Sequence, residues 1–218
     1  YTHQPDYFFF AQLLVHHVEG YIEKHPDAQD AIFDLRDIYE LFRQDFASAT
    51  TNLDAILNIA DQSNKEVVAY LSMGFGNPYG EHWDAELVIK WCERLYKDLG
   101  INIQALSDTI GCATTDSVDY LFKELIPAFP QVEFGAHMHT LRDNAENMIQ
   151  AAYNAGCRRF DGAIKGYGGC PMAKDDLTGN MPTEIMIHWF EKQGIVLPID
   201  KNAFMNAMNE SNNVFYAH

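Results

Sequence analysis

A chain of 218 residues that is 47% hydrophobic suits one domain with a sizeable core and is short for two. Its formal net charge of −16 sets it against nucleic acid and anionic membrane surfaces, whose phosphates would repel it. Cys92, Cys112, Cys157 and Cys170 show no CxxC spacing and no dense framework, so a reduced cytoplasmic or organelle-matrix setting is predicted.

The first fifty residues carry weak signals. The run from Phe8 to Val15 is too short to span a membrane, and no basic segment precedes it as in a signal peptide. Leu13, Val18 and Ile22 suggest a helix, and Asp30 to Asp34 a strand. From there the pattern is regular. Leu53, Ile56, Leu57 and Ala60 lie at i, i+3, i+4, i+7, a helical stripe. A buried strand is predicted at 66–72, ending on Ser72. Leu87, Val88, Trp91 and Leu95 mark the next helix, and 101–106 a strand leading to Asp108. Val118, Leu121, Phe122 and Leu125 make another helix, followed by a strand from Val132 to His137. Ala145, Met148, Ile149 and Ala152 form the stripe after it. A strand over 158–164 precedes a glycine-rich loop, then helices over 182–193 and 200–209. Alternating strand and helix imply an α/β fold with a parallel sheet.

The polar residues that stand out follow strands. His137 and His139, at i and i+2, share one face of a strand. Two imidazoles on one face can ligate a divalent metal, although such a pair is also common at a polar strand edge. Cys170 lies in Gly168-Gly169-Cys170-Pro171, which reads either as an ordinary turn or as a loop presenting a reactive thiol. Asn180 follows Gly179, and Glu184 sits in the first turn of the next helix, where a solvated acid is also at home. Lys165 beside the loop is either a phosphate-facing cation or a solvated lysine. Asp108 could equally cap the helix that follows it.

His137-Met138-His139, Gly166-Tyr167-Gly168-Gly169-Cys170-Pro171, Gly179-Asn180 and Ser107-Asp108-Thr109-Ile110-Gly111 together are far more specific than any one of them. They resemble the 3-hydroxy-3-methylglutaryl-CoA lyase family of metal-dependent carbon–carbon lyases, whose strands end in H-x-H and G-D-T-I-G. Tyr39-Glu40-Leu41-Phe42 weakly echoes its S-E-x-F. The resemblance implies a (β/α)8 TIM-barrel type of fold over a single domain, residues 1–218, with 1–30 unassigned. In that frame the strand at 30–34 is the fourth, and the first three are not found. A complete barrel usually takes about 250 residues, so the chain is expected to be incomplete at its N-terminal side. The family's first-strand Arg-Asp-Gly is also missing: Arg36-Asp37 and Arg142-Asp143 lack the following glycine.

The resemblance also implies roles. His137, His139 and Asn180 would hold Mg2+ or Mn2+, and Cys170 would be the acid. Asp108 would be the base or its helper, with His137 close by. Ser72, Lys165, Gly168, Gly169 and Glu184 would line the substrate or its loop. The substrate would be an acyl-CoA, 3-hydroxy-3-methylglutaryl-CoA, cleaved to acetyl-CoA and acetoacetate by a homodimer in the cytoplasm, or in the mitochondrial matrix of a eukaryote. Two alternatives are a condensing synthase of the citramalate or isopropylmalate type, which lacks the Gly-Gly-Cys-Pro loop, and a catalytically incomplete fragment.

Overall fold

The structure is a computed structural model that describes residues 11–14, 46–77, 82–168 and 178–215. Its elements in chain order are β1 (Ala11–Leu14), α1 (Phe46–Gln62), β2 (Val68–Leu71), α2 (Ala85–Lys97), β3 (Ile103–Asp108), α3 (Thr115–Ala128), β4 (Glu133–Thr140), α4 (Ala145–Asn154), β5 (Arg159–Asp161), β6 (Gly179–Asn180), α5 (Thr183–Lys192) and α6 (Lys201–Val214). β2, β3, β4 and β5 run parallel in that spatial order, joined by helices, which is the strand–helix repeat of a (β/α)8 barrel. Each predicted strand and helix from residue 53 onward is present. The strand after α4 is shorter than expected, because the chain leaves the sheet at Asp161 and coils into a 3-10 turn at Ile164–Gly166.

The N-terminal helix reading needs correction at Leu13. Residues 11–14 form a strand antiparallel to β2, with Ala11 opposite Leu71 and Leu14 opposite Val68. A short apolar run has no periodicity to separate strand from helix, so tertiary pairing decides. Val18, Ile22 and the strand expected at 30–34 lie outside the described residues.

Alternation along the strands sorts side chains onto two faces. Ala69, Leu71, Leu106, Phe134, Ala136 and Met138 join one core cluster with Val88, Trp91, Leu121, Phe122, Leu125 and Met148 from the helices. Phe122, Leu121 and Leu125 of α3 are fully buried there, each contributing about 1.5–3 kcal/mol. Val68, Tyr70 and Ala105 form a separate cluster on the opposite face. Ser107 lies two residues beyond Ala105, and register pairs Ser107 with His137 and His137 with Asp161. Ser107, His137 and Asp161 therefore belong to the same face as that smaller cluster.

Helix starts are fixed by local chemistry. Asp84 accepts from the Leu87 N–H at 2.7 Å, Thr114 and Ser117 form a reciprocal cap, and Asp200 accepts from the Asn202 and Ala203 N–H groups. Among the described residues no helix is long and apolar enough to cross a membrane.

Candidate active site

β4 carries the histidine pair at its C-terminal end. The His137 and His139 rings lie 5.5 Å apart between centroids and are nearly perpendicular. His139 Nδ1 is 2.8 Å from the Asp108 carbonyl oxygen. A carbonyl can only accept, so Nδ1 carries the proton and Nε2 keeps its lone pair. That is the arrangement of a metal-binding imidazole held by its other nitrogen. Burial lowers the His139 pKa, which favours the neutral ring.

Asn180 reaches the same place through β6. This two-residue strand pairs antiparallel with β4, with Asn180 opposite His139 and Gly179 opposite Thr140. The Asn180 side-chain Nδ2 donates to the Tyr167 carbonyl at 2.9 Å, and Oδ1 is the end of the amide with no hydrogen bond among the described residues. Close backbone approach makes this possible. A Cβ on Gly179 would lie 2.5 Å from the Gly166 oxygen, and one on Gly166 would lie 2.8 Å from the Asn180 oxygen. Gly166 and Gly168 also hold φ of 72° and 78°, the left-handed region open to glycine. Gly168 thus shapes the seat of Asn180, while Gly169 and Cys170 fall outside the described residues.

Asp108 lies at the same end of the sheet, but its carboxylate serves the loop. One oxygen accepts from the Cys112 N–H and the other from the Ala113 N–H, both at 2.9 Å. Burial raises its pKa, and those two backbone donors pull the other way. Asp108 follows Ser107 along β3 and so points to the opposite face of the strand from the Ser107–His137 row. Its own carbonyl accepts from His139, and the charge of its carboxylate also acts on that ring. Asp108→Asn should therefore cost about 1–3 kcal/mol, because an amide presents a donor to one of the two N–H groups. Thermal melting should fall accordingly, with turnover following it. A variant that melted like wild type yet lost turnover would make Asp108 the base after all.

The remaining expected residues are placed as follows. Ser72 is buried just past β2. Glu184 accepts from the Lys165 N–H at 2.8 Å and from Arg142 Nη2 at 2.8 Å, while Arg142 Nη1 donates to the Lys165 carbonyl at 3.1 Å. Glu184 and Arg142 thus clamp the backbone of Lys165, a non-glycine residue held at φ 58°. The Lys165 ammonium donates to Asn212 on α6. An open groove of about 550 Å³ lies by the first turns of α4 and α5, lined by Arg142, Asp143, Glu146, Asn147, Glu184, Ile185 and His188. It includes neither His137 nor His139.

Sequence reasoning passed over Tyr70, Asp161 and Ser107 as site residues. Asp161 Oδ2 sits 3.5 Å from His137 Nδ1. Tyr70 packs edge-on against the His137 ring at 5.3 Å. Burial pushes the Tyr70 phenol up, and the Asp161 charge adds to it. Burial also works to raise the Asp161 carboxyl, but interactions with His137, Tyr70 and Arg159 outweigh it and hold the group below its ordinary value. The Ser107 hydroxyl is buried without a hydrogen-bond partner among the described residues. Strand register could have found Asp161, since it is directly opposite His137, but registers follow from pairing that spacing alone does not display.

Among the described residues no group of three or more His, Cys, Asp or Glu side chains is arranged to hold a metal. The donor set offered here is instead two imidazoles and a carboxamide oxygen. The Nε2 lone pair of His139 and the Oδ1 of Asn180, for which no partner is seen among the described residues, are donor types that fit a hard or borderline divalent cation.

Known proteins share this arrangement of sequence and fold. Hydroxymethylglutaryl-CoA lyase YngG of Bacillus subtilis is 33% identical over 155 residues, which cover 71% of this chain and 51% of that enzyme. The crystal structure of the Bacillus subtilis HMG-CoA lyase superposes with a TM-score of 0.72 at 29% identity, over 79% of this chain and 57% of that one. (R)-citramalyl-CoA lyase of Chloroflexus aurantiacus is 31% identical over 137 residues, 63% of this chain and 43% of the other. An HMG-CoA lyase from Acinetobacter baumannii, in complex with coenzyme A and 3-methylmalate, superposes with a TM-score of 0.67 at 27% identity, over 79% of this chain and 56% of that one. This chain spans about half the length of the curated relatives it matches. The HMGL-like family model matches residues 37–210, most of the chain, and the chain belongs to that family.

Proposed function

We propose that this chain supplies the metal-binding and acid side of a carbon–carbon lyase acting on a 3-hydroxyacyl-CoA thioester. The observation that carries the reading is His139 held through Nδ1 with Asn180 directly across the β4–β6 pair. His137, His139 and Asn180 would hold Mg2+ or Mn2+, which when bound would polarise the oxygens of the substrate's hydroxyl and carbonyl groups.

The chain's own residues then do the rest. The Asp108 carbonyl fixes the His139 tautomer, and the Asp108 carboxylate closes the loop that positions that carbonyl. The Arg142–Glu184 clamp fixes the hinge at Lys165, from which the glycine loop departs. A base takes the substrate's hydroxyl proton, the adjacent carbon–carbon bond breaks with its electron pair passing to the acetyl-CoA enolate, and Cys170, the acid expected from the motif, protonates the enolate carbon. The substrate we assign first is 3-hydroxy-3-methylglutaryl-CoA. The kinship with a citramalyl-CoA lyase makes citramalyl-CoA the second.

The test is release of acetyl-CoA from each thioester with added Mg2+ or Mn2+. Cys170→Ser should cut turnover by a factor of about 10²–10⁴, the usual contribution of a positioned acid, and leave metal binding intact. Full activity in that variant would remove the thiol from the mechanism. Cleavage of neither thioester by the wild-type protein would overturn the assignment.

A further inference from the structure

Beyond the residues expected from the motifs, His137 Nδ1 and Asp161 Oδ2 are both buried, and among the described residues neither has a hydrogen-bond partner. They face each other at 3.5 Å across adjacent parallel strands, at directly opposed register positions. An unpaired buried donor or acceptor costs about 1–3 kcal/mol, so two of them facing one another are poorly explained as packing. A proton on Nδ1 directed at Oδ2 satisfies both at once after a shift of a few tenths of an ångström. Arg159 lies two residues away on the same strand face, and its aliphatic stem packs over Gly135, where a Cβ would lie 3.0 Å from Cδ. Tyr70 closes the other side of the ring, so His137 has little freedom to turn away.

We propose that Asp161 is the positioning residue of His137: it accepts the Nδ1 proton, fixes the ring's tautomer and leaves the Nε2 lone pair for the site. This rests on the reading of His137 as a metal ligand. It would give the two histidines the same design by different means, His139 held by a backbone carbonyl and His137 by a carboxylate. Asp161 acts through His137 and does not itself touch substrate.

The experiment is 15N NMR of the imidazoles in the full chain without metal, paired with Mn2+ titration followed by electron paramagnetic resonance. In the wild-type protein the His137 Nδ1 should be protonated and Nε2 bare. In Asp161→Asn the tautomer should become mixed or reversed, and Mn2+ affinity should fall about 10–100-fold, the usual loss for an outer partner of a ligand. Asp161→Glu, which restores an acceptor, should recover the wild-type tautomer. A wild-type His137 with its proton on Nε2 would overturn the proposal without any variant. So would Asp161→Asn with an unchanged tautomer. If the nitrogen shifts behave as expected while the wild-type chain binds no Mn2+, the pairing stands and the metal reading falls.

Discussion

His139→Ala should lose Mn2+ binding by more than the roughly 10–100-fold that removing an outer partner of a ligand costs. His139 is the better prepared of the two imidazoles. Its Nδ1 proton is committed to the Asp108 carbonyl at 2.8 Å, and Asn180 is its cross-strand partner. The alanine variant removes the lone pair and also strands the Asp108 carbonyl, which costs about 1–3 kcal/mol of stability if no water replaces the donor. The two losses can be separated. Asp108→Asn should destabilise to a similar extent yet retain a measurable metal signal, because both imidazoles and Asn180 remain. An exposed control, Lys192→Ala, removes only the 3.1 Å pair with Glu146 and should change neither readout appreciably. Wild-type Mn2+ affinity in His139→Ala would mean that the pair on β4 is a polar strand end and no metal centre.

The legible parts of this protein were those whose signal is local. The stripe of Val118, Leu121, Phe122 and Leu125 becomes a helix with those four residues buried. The i, i+2 spacing of His137 and His139 does place both on one face of β4, because strand alternation is set by backbone geometry alone. The illegible parts depend on partners distant in sequence. Leu13 went to a strand because β2 offers an edge, which nothing near Leu13 announces. Asp108 matched a motif in which a base is expected, but the two N–H groups that take up its carboxylate belong to the turn that the same motif encodes. Asp161 sat unnoticed inside the short run 158–164. It matters only because β4 and β5 align it with His137.

The glycines around the loop show a third kind of signal, legible as composition but not as mechanism. Gly166, Gly168 and Gly179 read in sequence as turn formers. In the structure Gly166 and Gly179 are places where two backbone segments around Asn180 approach too closely for a side chain, and Gly168 lies against the Asn180 side-chain amide. Turn chemistry and the placement of Asn180 are therefore the same constraint here.

Gly179→Ala should accordingly remove Asn180 from the site while leaving the two histidines in place. Gly179 does not have a left-handed φ, so the new methyl brings no backbone penalty of that kind. What it meets is the Gly166 carbonyl oxygen at 2.5 Å and the Gly168 carbonyl oxygen at 3.4 Å. Both are main-chain atoms, so no flexible side chain can swing aside. The Gly166–Gly168 segment must move, and with it the Tyr167 carbonyl that orients the Asn180 amide at 2.9 Å. Overpacking of this kind costs about 1–3 kcal/mol, and at 2–4 °C per kcal/mol melting should fall by about 2–12 °C. Mn2+ affinity should fall with it. Gly194→Ala is the matched control. It has nothing within 4 Å of the new methyl but holds φ at 76°, so it pays about 1–2 kcal/mol for the left-handed backbone alone. The two variants should melt within a few degrees of each other, yet only Gly179→Ala should weaken metal binding. Equal Mn2+ affinity in both would show that Asn180 is not held in place by the glycine crowding and does not contribute a ligand.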